Sequence, residues 1–70
     1  MVANKRKLIG KIAENGYTKG SFAEAMGMSH PTLNAKMNSE QYEFTISESA
    51  KAKKLLHLSA DEYLEIFINF

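Results

Sequence analysis

Lys19-Gly20-Ser21-Phe22-Ala23-Glu24-Ala25-Met26-Gly27-Met28-Ser29-His30-Pro31-Thr32-Leu33-Asn34-Ala35-Lys36-Met37-Asn38 reads as two short helices joined by a tight turn. The first carries a small residue, Ala23, where a second helix can cross it closely. It ends at Gly27, the residue best able to take the left-handed backbone conformation that stops a helix. The second starts cleanly: Ser29 is a good N-cap, Pro31 lies in the first turn where its missing N–H costs nothing, and Leu33 and Met37 repeat on one face. A small residue, a glycine and then an aliphatic residue at this spacing is the helix-turn-helix pattern, which lets two helices cross steeply within few residues.

Around this stretch, seventy residues make one domain, 1–70, near the lower size at which an apolar core suffices without staples. The absence of cysteine excludes a disulfide framework and a thiolate metal site. No apolar run approaches the roughly 18 residues that span a bilayer, and residues 1–7 are not followed by a secretory apolar region. The expectation is a soluble protein of the cytoplasm.

The net charge of +1 conceals an asymmetry. Residues 1–36 hold Lys5, Arg6, Lys7, Lys11, Lys19 and Lys36 against Glu14 and Glu24, whereas residues 37–70 hold Lys51, Lys53 and Lys54 against six acids. The positive half carries the helix-turn-helix. This is the distribution expected of a nucleic-acid binder, though milder than a strongly basic stripe.

In chain order, a first helix is predicted from about Lys5 to Asn15, capped by Asn4, with Leu8, Ile9, Ile12 and Ala13 inward and Asn15-Gly16 as its stop. Tyr17 precedes the cap Thr18 and is expected to pack on helix 2. Helix 2, about 19–26, buries Phe22, Ala23 and Met26; helix 3, about 30–37, turns His30, Pro31, Asn34, Ala35 and Lys36 outward. Residues 38–43 read as a loop pinned by Tyr42 and Phe44. Thr45-Ile46-Ser47-Glu48 is a capping box opening helix 4, about 46–57, whose inward stripe is Ser49, Ala52, Leu55 and Leu56. Ser59-Ala60-Asp61-Glu62 is a second, opening helix 5, about 60–68, with Leu58 and Tyr63 as a staple. Tyr63, Leu64, Ile66, Phe67, Ile68 and Phe70 cover more than one face of that helix. The surplus, assigned to Leu64, Phe67, Ile68 and Phe70, is expected to serve a homodimer or partner.

Catalysis is not expected. There is no cysteine nucleophile, no glycine-rich phosphate loop and no His-x-x-x-His or His-Glu-x-x-His metal spacing, and His30 and His57 stand alone. No metal, cofactor or small-molecule substrate is implied.

The run Thr18 to Ser29 resembles the lambda-repressor-like Cro/CI family of small phage and prophage regulators, whose usual form is Thr-Gln, two polar residues, Leu-Ala, three variable residues, Gly-Ile-Ser. The similarity extends through the Phe-Thr-x-x-Glu and Leu-Ser-x-x-Glu steps of residues 44–48 and 58–62. It implies an all-α, five-helix domain with the helix-turn-helix in helices 2 and 3. It implies operator DNA as partner, with the second helix of the motif in the major groove.

By that resemblance the base-reading positions fall on His30, Pro31, Asn34 and Ala35. Asn34 can make paired hydrogen bonds to adenine, His30 can donate to guanine, and Ala35 can touch a thymine methyl. Lys19, where the family usually has glutamine, can hold a phosphate, as can Lys36, Asn38 and the Lys5 to Lys7 run. The sequence departs from the family in lacking the bracing glutamine, in Pro31 and in Ala35, so only two of four reading positions keep strong hydrogen-bonding groups. That implies weak specific affinity or a dimer that doubles the contacts.

The second reading is a modulator of repression, as in some temperate phages of Gram-positive hosts, docking on a partner repressor instead of DNA. Its contacts would be Met28, His30, Leu33, Asn34 and Met37. Both readings serve a lysis-lysogeny switch in a bacterial host cell.

Overall fold

The computed structural model describes residues 3–38 and 43–68 and consists, over those residues, of five α-helices and no strand. They are α1 (Lys5–Glu14), α2 (Lys19–Met26), α3 (His30–Asn38), α4 (Ile46–Leu55) and α5 (Ala60–Phe67). The expected loop contact of Tyr42 and the expected partner contact of Phe70 lie outside the described residues.

Each helix starts on a side-chain cap. Asn4 Oδ1 accepts the Lys7 N–H at 3.3 Å, and Ser29 Oγ accepts the Thr32 N–H at 3.2 Å. Thr45 and Glu48 satisfy each other's backbone N–H groups, as do Ser59 and Glu62. A third reciprocal box joins Thr18 to Ser21, whose short hydroxyl substitutes for the usual glutamate.

Three of the helices end alike. The N–H of Met28 bonds to the Ala23 carbonyl at 3.0 Å across Gly27, which sits at φ +77°. The N–H of Tyr17 bonds to the Ile12 carbonyl across Gly16 in the same way, and the N–H of Leu58 to the Lys53 carbonyl across His57. At His57, φ +52°, the left-handed position is filled by a residue with a Cβ. α4 therefore stops at Leu55, two residues before the expected end, because the turn through His57 reverses the chain toward α5.

The core collects Leu8 and Ile12 of α1, Phe22, Ala23 and Met26 of α2, Leu33 and Met37 of α3, Ala52 of α4, and Ile66 and Phe67 of α5, with Phe44, Leu56 and Leu58 from the connections. Tyr17 packs edge-on to Phe22, ring centroids 5.6 Å apart, and Phe44 does the same against Phe67 at 5.7 Å. Ala13, expected inward, is exposed, since a short helix can turn only the Leu8 and Ile12 stripe to so small a core. α4 has a polar inward residue, Ser49, fully buried, whose hydroxyl bonds the Ile46 carbonyl and the Tyr63 hydroxyl, each at 2.7 Å.

α5 corrects one expectation. Phe67 is 2% exposed and belongs to the core, so it is not available to a dimer or partner surface. Leu64 and Ile68, one turn apart, remain outside at 40% and 49% exposure. No helix among the described residues is long and apolar enough to cross a membrane.

Candidate nucleic-acid interface

Leu33 and Met37 anchor the inner side of α3 in the core, and the close packing of α3 on α2 leaves the other side of α3 outward. His30, Pro31 and Asn34 are exposed there, one turn of helix apart. Lys19, from the first turn of α2, joins them in lining a single open depression. A second, more apolar hollow beside it is lined by Pro31, Thr32, Ala35 and Lys36. The fold thus brings together residues from two helices that are 11 or more positions apart in sequence. Lys19 has no acidic partner among the described residues.

Asn34 is held from below. Asn38 Nδ2 donates to the Asn34 carbonyl at 2.8 Å and to Asn34 Oδ1 at 3.0 Å, and the Lys5 ammonium donates to Asn38 Oδ1. Asn38, expected to touch phosphate, is instead bonded to the side chain it would orient. The Asn34 Nδ2 donors have no partner among the described residues, and Oδ1 keeps a second lone pair, so the paired hydrogen bond to adenine remains open to it.

Three expected contacts are corrected. The Lys36 ammonium is bound at 3.0 Å to Glu48 Oε1 and at 3.0 Å to the Glu43 carbonyl, so it is not a free phosphate ligand. Leu33 is wholly buried and Met37 nearly so, which removes both from any partner-docking face. Of the residues proposed for a protein contact, His30 and Asn34 stay exposed, and Met28 is partly buried against the core.

The charge asymmetry also changes meaning in the folded chain. Lys7 pairs with Glu65 at 3.4 Å, Lys11 with Glu62 and with Glu14 at 3.2 Å, and Lys36 with Glu48. Half of the basic residues of the N-terminal half are therefore neutralised by acids of the C-terminal half. The hydrogen bonds from Glu62 and Glu14 hold the Lys11 ammonium above the usual lysine range. Lys11 and the Ser59 N–H in turn hold Glu62 below the usual carboxylate range. At Glu48, burial pushes the carboxyl up, but the Thr45 N–H and Lys36 outweigh it and bring it below its ordinary value.

What remains for an anionic ligand is a different set. Arg6, Lys19, Lys51 and Lys54 have no acidic partner among the described residues, and Lys53 lies over the Tyr63 ring at 5.7 Å. Lys51 was not singled out by sequence. The structure places its ammonium 3.8 Å from where a Cβ on Gly27 would stand, beside the turn that leads into α3. Helical spacing alone could not show this, because Lys51 and Gly27 meet only through the packing of α4 on α2. Among the described residues no group of three or more His, Asp or Glu is placed to hold a metal ion.

No curated protein and no solved structure matched the chain. A family model does match it over residues 1–70, and the chain belongs to that family, the proteins of unknown function DUF739.

Proposed function

We propose that this protein is a small transcriptional regulator of phage or prophage type, acting in the bacterial cytoplasm, which binds operator DNA through α3 in the major groove. The observation that carries the reading is the common depression of Lys19, His30, Pro31 and Asn34, which sets a free cation beside two hydrogen-bonding side chains on one outward surface. In this reading Asn34 and His30 contact base edges, Pro31 and Ala35 offer apolar contact to thymine methyl groups, and Lys19 and Lys51 hold phosphates. With so few polar readers, a second copy on a near-palindromic site doubles the contacts. The exposed Leu64 and Ile68 of α5 are the surface assigned to it.

Docking on a partner repressor is the weaker reading, because Leu33 and Met37, its apolar anchors, lie in the core. The deciding experiment is fluorescence anisotropy of labelled duplex from the region upstream of the protein's own gene, at two salt concentrations, with and without the neighbouring repressor. Selective binding by the protein alone, weakening with salt, is the expected result. A response only in the presence of the repressor would replace the operator binder by a modulator of repression.

A further inference from the structure

We propose that Lys36 is a positioning residue, a strut that fixes α3 against the first turn of α4 and so holds the exposed face of α3, and that it does not touch phosphate. Its role in presenting that face to DNA rests on the reading above.

α3 is fastened unevenly. Its inner side is seated by Leu33 and Met37, chiefly against α2, and its start is capped by Ser29. Apolar contacts of this kind resist separation more than they resist rotation, since they have no preferred direction. Among the described residues, the Lys36 to Glu48 pair is the one hydrogen-bonded link between α3 and α4. It is also largely covered, with the two side chains 17% and 26% exposed.

The acceptors on Lys36 are already employed elsewhere. Glu48 Oε1 takes the Thr45 N–H at 2.8 Å, closing the capping box of α4, and the same oxygen takes the Lys36 ammonium at 3.0 Å. The ammonium's second acceptor, the Glu43 carbonyl, belongs to the segment entering that box. Lys36 thus ties α3 to the start of α4 and to the chain leading into it. Swinging out to a phosphate would draw the ammonium off both acceptors, which engage two of its three donors, and leave a partly covered carboxylate without its cation. Lys19 and Lys51 face no such loss, so they are the cations that meet a polyanion.

The test uses the full chain with Lys36→Met, which keeps the aliphatic stem, Glu48→Gln, which keeps the capping box, and the double variant. Each single change should lower the Tm by about 3–6 °C, and the double variant should fall little further than the worse single one. In Glu48→Gln, although the substitution is in α4, the amide resonances of Asn34 and Met37 in α3 should shift. On duplex, both single variants should bind roughly three- to tenfold more weakly, with an unchanged slope of log affinity against log salt.

Additive Tm losses with unmoved α3 resonances would overturn the strut. So would a slope shallower by about 0.9 in Lys36→Met together with tighter binding by Glu48→Gln, the signature of a phosphate ligand released from its acid. If the wild-type protein binds no duplex, the operator reading falls, and the thermal cycle with the α3 resonances decides the strut alone.

Discussion

Lys11 of α1 and Glu62 of α5 form an ion pair, and the same Glu62 carboxylate closes the capping box of α5 by accepting the Ser59 N–H at 2.9 Å. The arrangement repeats at Lys36 and Glu48 of α3 and α4. Each of these capping-box glutamates therefore does two jobs, accepting the backbone N–H of its helix's N-cap residue and receiving a lysine from the N-terminal half. The basic excess of that half is in good part the complement of the acidic half, folded against it.

Acid should weaken the fold through these two glutamates. Both have native pKa values below the ordinary 4.5, so their contribution is complete above that value and is lost as pH falls through the lowered native one. Lys11 acts in the opposite direction: raised above 10.5, it contributes fully below that pH and loses its contribution as pH climbs through the raised value. Urea midpoints measured from neutral pH down to about pH 3 should fall, and Glu62→Gln should flatten the fall. A midpoint independent of pH over that range would contradict the paired geometry.

Ser49→Ala should destabilise the domain by about 1–3 kcal/mol, because it strips the Tyr63 hydroxyl of its partner within a covered site. For a domain of this size that is a fall in Tm of about 4–8 °C per kcal/mol. Tyr63→Phe introduced into the Ser49→Ala background should cost little more, since the bond is already gone. Equal and additive losses from the two changes would show that the hydroxyl pair contributes nothing.

His57 and Gly27 make opposite predictions from the same backbone conformation. A side chain in the left-handed region costs about 1–2 kcal/mol, offset partly by the greater freedom of glycine in the unfolded chain. His57→Gly should therefore stabilise by about 0.5–1 kcal/mol, and Gly27→Ala should destabilise by about 1 kcal/mol or more, with no steric clash to add. Thermal unfolding of the two variants checks both signs at once.

Lys19→Ala and Asn34→Ala should separate phosphate holding from base reading. Loss of Lys19 should weaken operator and random duplex alike and reduce the salt slope by about 0.9, whereas loss of Asn34 should cost about 1–3 kcal/mol on operator alone. Anisotropy titrations on both duplexes at several salt concentrations measure the two effects. If neither substitution changes binding, direct reading by α3 is excluded.

Much of this was written locally. The caps Asn4, Thr18, Ser29, Thr45 and Ser59, the stop at Gly27, and the spacing of Leu33 and Met37 place the start of all five helices within one residue, because capping and periodicity involve residues a few positions apart. The outward set of His30, Pro31 and Asn34 follows from the same periodicity, since burying Leu33 and Met37 leaves those positions nowhere else to go.

Tertiary packing decided what periodicity could not reach. Whether Phe67 lies inside or outside depends on how Phe44 and α1 close over α5, and whether Lys36 is free depends on where Glu48 stands 12 residues later. Glu65 and Glu62, the α5 partners of Lys7 and Lys11, lie more than 50 residues away, at a separation that no local pattern encodes, unlike the Lys11 to Glu14 pair within α1. Where helices start and which of their faces are apolar can be read from neighbouring residues alone, because those are short-range properties of backbone and side chain. Which charges remain for a ligand was settled only when the chain folded, because an ion pair needs only proximity in space, and proximity between distant helices is a property of the packed core.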